Sequence, residues 1–247
     1  MKPWVRGVAV PLGVLAATRA ASAGVEAEVE ASVVVASRND TRIPGDTGTK
    51  ISLVNDLSTS PAPAFRLRLG YRIANRHLIT ALYAPLRVNA RGSLDRDVEF
   101  MGATYPAETP LLAVYRFDSY RLTYRYSIVW NDTLDAAVGF TAKIRDAETS
   151  LYGVEARRKT NTGFVPLLNA HMAWRPEGSA FGVVLDIDAL AAPQGRAEDV
   201  LLAATWAFHD KLELRMGYRT VEGGAENDEV YSFAWFHYGI VGLKMTL

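Results

Sequence analysis

The sequence predicts an all-β fold: a transmembrane antiparallel up-and-down β-barrel of about ten strands, with eight or twelve as the alternatives. Three observations carry this reading. Apolar and polar residues alternate with a period of two over many segments, which a helix cannot use but a strand with two different faces does. The connections between those segments alternate between short and long. The chain begins with an export-type leader, and no uncharged run after residue 23 is long enough for a spanning helix.

The alternation is clearest in four segments. Phe65, Leu67, Leu69, Tyr71 and Ile73 share one parity, against Arg66, Arg68, Gly70 and Arg72. Tyr120, Leu122, Tyr124, Tyr126, Ile128 and Trp130 oppose Arg121, Thr123, Arg125, Ser127 and Val129. Residues 134–144 set Leu134, Ala136, Val138, Phe140, Ala142 and Ile144 against Asp135, Ala137, Gly139, Thr141 and Lys143. In 212–220, Leu212, Leu214, Met216 and Tyr218 oppose Glu213, Arg215, Gly217 and Arg219. Compatible strands are 25–36, 77–86, 164–174, 181–189, 200–208 and 230–247. Residues 87–112 are ambiguous: 98–105 either adds a hairpin, raising the count to twelve, or prolongs two strands beyond the membrane.

Short connections are expected near residues 74–76, 131–133, 176–178 and 209–210, and long ones at 37–64, 145–163, 190–199 and 221–229. A first strand that starts on the periplasmic side puts every short turn there and every long loop outside, the habit of transmembrane barrels. Residues 51–54 and the Pro-rich 60–63 then belong to the first outer loop.

Composition narrows the class. The chain has 247 residues, 49% of them hydrophobic, and no Cys, so it can bury a core without disulfides. Lys2, Arg6 and Arg19 are the charged residues before Glu26, which leaves 24 basic against 27 acidic residues beyond position 23. That balance excludes the basic surface a nucleic-acid binder needs. Residues 1–23 read as a signal peptide: a basic start, an apolar stretch from Gly7 to Thr18, and Ala21-Ser22-Ala23 before Gly24. Residues 24–247 then form the barrel.

A soluble barrel would turn its apolar parity inward. Here the polar parity is rich in small residues such as Gly70, Ser127, Gly139 and Gly217, which suit a narrow lumen, and aromatics gather at strand ends as interfacial girdles do. The whole mature chain therefore resembles bacterial outer-membrane β-barrel proteins. The leader, the alternating strands and the final segment Gly239-Ile240-Val241-Gly242-Leu243-Lys244-Met245-Thr246-Leu247 carry the resemblance. The final strand of that superfamily typically ends on an aromatic residue, whereas this one ends on Leu247. The resemblance implies a Gram-negative outer-membrane location, contact with membrane lipid and lipopolysaccharide, and handling by the barrel-assembly machinery. It implies no activity, and no solute or surface ligand is identified.

The polar parity places Glu26, Glu28 and Glu30 beside Arg66, Arg68, Arg72 and Lys244 across the closure seam, with Arg121, Arg125, Lys143, Glu213 and Arg215 in the same lumen. Of the basic residues 21 are Arg and six are Lys, a bias suited to partly buried ion networks. Such charges either line a selective pore or pair into a plug, and the cost of unpaired charge in a narrow lumen favours the plug. Toward the outer rim, Arg145, Asp186, Asp188 and Arg219 are candidate binding residues, with Arg196, Glu198, Asp199, Glu222, Glu226 and Asp228 in the adjoining loops.

The function this supports is a small passive channel or a loop-presenting surface protein. Two alternatives stay open: a hydrolase with its site at the extracellular rim, and a soluble periplasmic ligand-binding barrel. Asp186-x-Asp188 is similar to the acidic outer ends of omptin-type proteases, also ten-stranded. Closing the hairpin at Glu177, however, sets His171 opposite Val183, on the order of 15 Å below Asp188. His77 and His209 fall at the periplasmic end and His237 on the lipid-facing parity, so no catalytic set is assembled. No cofactor and no metal site is expected, and the run 226–229 lacks the spacing of a calcium loop.

Overall fold

The computed structural model describes residues 24–193 and 195–247, so the expected signal peptide lies outside the described residues. The strands are β1 (Gly24–Arg42), β2 (Ile51–Ser52), β3 (Ser58–Thr59), β4 (Ala62–Ile73), β5 (His77–Ala84), β6 (Arg87–Gly92), β7 (Val98–Phe100), β8 (Ala103–Tyr105), β9 (Leu111–Trp130), β10 (Leu134–Tyr152), β11 (Ala156–Trp174), β12 (Phe181–Ala192), β13 (Gly195–His209), β14 (Leu212–Glu226) and β15 (Tyr231–Thr246). Antiparallel pairing runs β1-β4-β5-β9-β10-β11-β12-β13-β14-β15 and returns to β1, so the sheet closes on itself. β5 and β6 act as one wall strand broken at Pro85 and Leu86, since both pair with β9. The barrel therefore has ten strands. The 98–105 segment is a separate two-stranded hairpin, β7–β8, and adds none to the wall.

The wall is apolar outside and charged inside, as a bilayer demands. Phe140 (67% exposed) and Leu69 (63%) stand on the outer face together with Tyr124 and Val138, while Arg125, Thr141, Asp186 and Arg215 are buried inside. Leu185 and Leu214 share the outer parity and are half-covered by neighbours. A one-residue slip would exchange the two faces, so hydrocarbon on one side and ion pairs on the other specify the register together.

The four turns predicted as short lie together at one end. Ala74 and Asn75 close the first with positive φ angles of 50° and 65°, and the others fall at 131–133, 175–180 and 210–211. The outer connections differ from expectation. Residues 145–163 are mostly ladder, because β10 and β11 stay paired to Tyr152↔Ala156. The 190–199 connection shrinks to a tight turn after Ala192, and that at 221–229 to the residues between Glu226 and Tyr231. Backbone pairing continues above the membrane, where the outer face meets water and the sequence alternation fades.

One outer region has an apolar core of its own. Residues 43–61 and 93–110 fold over the mouth, and Ile43, Ile51, Leu53, Leu57, Leu94, Val98, Phe100 and Tyr105 are buried there against Val34, Leu86 and Leu111. Gly45 lets this cap lean on the 227–230 loop, because a Cβ there would fall 1.9 Å from the Asn227 carbonyl oxygen. The backbone N–H of Gly45 donates to Asp228 O at 2.8 Å.

Candidate functional site: a sealed lumen and an outer vestibule

The first strand carries an acid on three successive inward positions, Glu26, Glu28 and Glu30, and its ladder with β4 puts Glu28 opposite Arg68 and Glu30 opposite Arg66. These residues build stacked layers. Nearest the periplasm, Glu26 is paired with Arg72 (2.9 Å) and Lys244 (2.9 Å), and Arg72 lies over the Trp130 ring at 4.1 Å. In the next layer Glu28 meets Arg215 (3.1 Å) and Arg68 (3.4 Å), Arg215 also holds Glu213 (2.9 Å), and Arg125 clamps Asp186 (2.5 Å). Above it, Asp199 receives three guanidiniums, from Arg219 (2.6 Å), Arg121 (2.7 Å) and Arg66 (2.9 Å). Arg219 also holds Glu30 (2.7 Å), and Arg121 holds Asp188 (2.8 Å). Asn169 and Thr141 each donate to Asp188. In the upper two layers Glu28, Glu30, Asp186, Asp188, Asp199 and Glu213 face six arginines, so charge balances within these layers.

Several expectations are corrected here. Asp186, Asp188 and Arg219 are buried inside the lumen and not at the rim; Arg219 is only 2% exposed. Arg145 alone of the four rim candidates reaches the outer cavity. His171 stands opposite Asp186, with Nδ1 3.7 Å from the carboxylate, because the 175–180 turn is longer than a tight hairpin. Arg175 and Ala207 anchor that turn, the N–H of Arg175 to Thr133 O and the N–H of Ala207 to Ala180 O. Asp199, expected in a loop, is the centre of the network in β13. Its parity matches that of the inward Leu201, Ala203 and Thr205, which is the signal that extending the strand by one residue would have used. Lys143 is in the lumen as expected but outside the network: among the described residues no carboxylate lies within 4 Å of it.

Two cavities lie at opposite ends of these layers and share no lining residue. The periplasmic one, about 430 Å³, is polar and ends at Glu26, Arg72 and Arg215. The outer one, about 380 Å³, is lined by Tyr115, Phe117, Leu190, Val221 and Phe236, with Lys143 and Arg145 at its base. The Lys143 ammonium sits over the Phe117 ring at 4.9 Å. Arg145 donates to Asn161 while its Nε has no hydrogen-bond partner.

This outer vestibule also opens sideways. The β11–β12 ladder ends at Leu168↔Ala189. Two residues further, Pro166 keeps its place opposite Ala142 of β10 but has no N–H to offer β12. Residues 163–166 on one side and Leu190, Ala192 and 195–197 on the other then flank the cavity.

No family model matches the sequence, and no curated protein matches it. Solved structures do. The outer membrane protease OmpT from Escherichia coli is similar with a TM-score of 0.56 at 9% identity, over 91% of this chain and 97% of that one. The translocator domain of the autotransporter NalP from Neisseria meningitidis scores 0.44 at 11% identity, over 93% and 90%. Ail, the attachment invasion locus protein of Yersinia pestis, scores 0.40 at 10% identity, over 90% and 99%. At such identities the likeness speaks to fold and not to activity. The wall, with its apolar belt and charged interior, has the fold of the ten-stranded outer-membrane β-barrels.

Proposed function

We propose that this barrel is closed to ions and works from its outer side, binding an anionic amphiphile in the outer vestibule and presenting the capped loops to the surroundings. The observation that carries this reading is the stack of buried, mutually paired charges between two separate vestibules. Opening a pore would strand several of these ions without partners, at several kcal/mol for each one left buried. The ligand class follows from the cavity: aromatic and aliphatic walls for a hydrocarbon tail, and for an anionic head the buried Lys143, which has no carboxylate within 4 Å among the described residues. The gap beside Pro166 gives such a molecule a route in from the outer leaflet.

Two measurements test this. The membrane-inserted protein in a planar bilayer is expected to show no steady conductance, and a stable open level would overturn the closed reading. Sodium dodecanoate titrated into the same protein in vesicles is expected to bind saturably, and Lys143→Met to weaken that binding about tenfold or more. Unchanged binding in the variant would remove the vestibule from the proposal.

A further inference from the structure

The outer wall holds a second polar constellation, on the face turned to lipid. His237 of β15 is a histidine on a parity otherwise given to apolar and girdle residues: Trp235, Gly239, Val241 and Leu243. Its Nε2 is 2.8 Å from Ser37 Oγ of β1, and its Nδ1 is 2.5 Å from the Tyr218 hydroxyl of β14. The ring is held between Trp235 (centroids 5.1 Å apart) and Tyr218 (5.9 Å), and Trp235 is itself fixed by its indole N–H on Thr220 Oγ1 at 2.7 Å. Three strands therefore position one imidazole between a hydroxyl that can react and a hydroxyl that can orient it.

We infer that Ser37, His237 and Tyr218 form a serine-hydrolase site on the outside of the barrel, acting on acyl esters of lipids in the outer leaflet. With Nδ1–H donated to Tyr218, Nε2 is the acceptor for Ser37 Oγ–H in preference to the more distant Trp235 O at 3.4 Å, the tautomer a general base needs. Ser37 Oγ bonds to the ester carbonyl carbon as its proton passes to His237 Nε2. The carbon–oxygen bond to the lipid alcohol then breaks, and His237 returns the proton to the departing alkoxide. Water gives a proton to the same nitrogen and bonds to the acyl carbon; the carbon–oxygen bond to Ser37 then breaks, the proton returns to Ser37 Oγ, and a fatty acid is released. Tyr218 is a positioning residue.

Local structure fits this use. Ser37 is the extra residue of a β-bulge, between Ala36↔Phe236 and Arg38↔Trp235, and stays on the outward parity of Val33 and Val35. On its other edge β1 pairs with β4 only as far as Val34↔Ala62 and with β2 from Asp40↔Ser52. Backbone N–H groups that point to this edge near Ser37 therefore have no ladder acceptor among the described residues, and are free to meet a carbonyl oxygen as it takes up charge. Just below His237, Gly239 lies between Tyr218 and Val33, and a Cβ built there meets nothing within 4 Å. An acyl chain can lie in that gap along the wall. The depth is right for an ester bond: Val25, Val29, Val33 and Val35 span the apolar belt below Ser37, and lipid esters lie where hydrocarbon gives way to headgroups.

The test uses the full-length protein in membranes, with a fluorescent fluorophosphonate as covalent probe and p-nitrophenyl dodecanoate as substrate. Labelling mapped by mass spectrometry to Ser37 is expected, together with dodecanoate release. Both should vanish in Ser37→Ala and fall about a hundred-fold or more in His237→Gln. Tyr218→Phe is expected to lower kcat with little change in KM and to move the pH profile of kcat, which a purely structural tyrosine would not do. Compactly folded wild-type protein that is neither labelled at Ser37 nor able to release dodecanoate overturns the inference, as does hydrolysis that survives in Ser37→Ala. The vestibule takes no part in these readouts, so the two proposals stand or fall separately.

Discussion

At membrane depth the inside of this molecule is ionic and the outside apolar, whereas a few residues higher the inside is apolar and the outside polar. The change happens within single strands and without a break in alternation. On β9 the inward parity reads Arg125, Thr123, Arg121 and Ser119, and then Phe117, Tyr115, Ala113 and Leu111. On β1 it reads Glu26, Glu28, Glu30 and Ser32, and then Val34, which is fully buried. The solvent outside decides which side must be greasy. Beside hydrocarbon, apolar groups cost nothing facing out and polar groups must satisfy one another inside. Beside water, the hydrophobic effect again drives apolar groups inward, and the cap closes over the mouth as a small soluble core.

The largest expected effect breaks the ionic half. Asp199→Ala leaves Arg66, Arg121 and Arg219 sharing too few acids, and should cost about 3–5 kcal/mol in a urea titration of the refolded barrel. A loss under about 1 kcal/mol would mean that water already solvates the layer, and that the closed reading is wrong. In the apolar half, Phe100→Ala should cost about 3–4 kcal/mol, but locally: hydrogen exchange should rise in β7, β8 and residues 43–57 while the wall strands stay protected. Global loss of the barrel would show that cap and wall are one cooperative unit.

The boundary between the two solvents is probed from outside. Leu122→Arg, on the lipid face between Tyr120 and Tyr126, should cost about 2–4 kcal/mol in the same titration. The smallest effect belongs to the outer loops, where Arg157 pairs with Glu155 in water. Arg157→Ala should shift stability by about 0.5 kcal/mol or less, and its effect should fade with salt. Equal sensitivity at Leu122 and Arg157 would place the hydrocarbon boundary higher than the girdles indicate.

Much of this architecture is written locally. Alternation in 65–73, 120–130, 134–144 and 212–220 is a property of neighbouring residues, and it determined strand and face; it left the count at about ten, with eight or twelve open, until the structure set 98–105 outside the wall. The pairing of Glu28 and Glu30 with arginines of β4 was also legible, because adjacent strands and a known turn imply the register. What lies beyond the next strand was not. Asp199 reaches Arg66, Arg121 and Arg219 across the lumen, contacts that exist only once the sheet has closed and strand tilt has set which rows share a height. The same closure buried Asp186, Asp188 and Arg219 inside the lumen. It also brought Ser37, near the start of the chain, to His237, near its end, since β1 and β15 become neighbours only when the barrel shuts. Periodicity is short-ranged and survives in the sequence; encounter across a closed ring depends on shear and tilt, which no local pattern encodes.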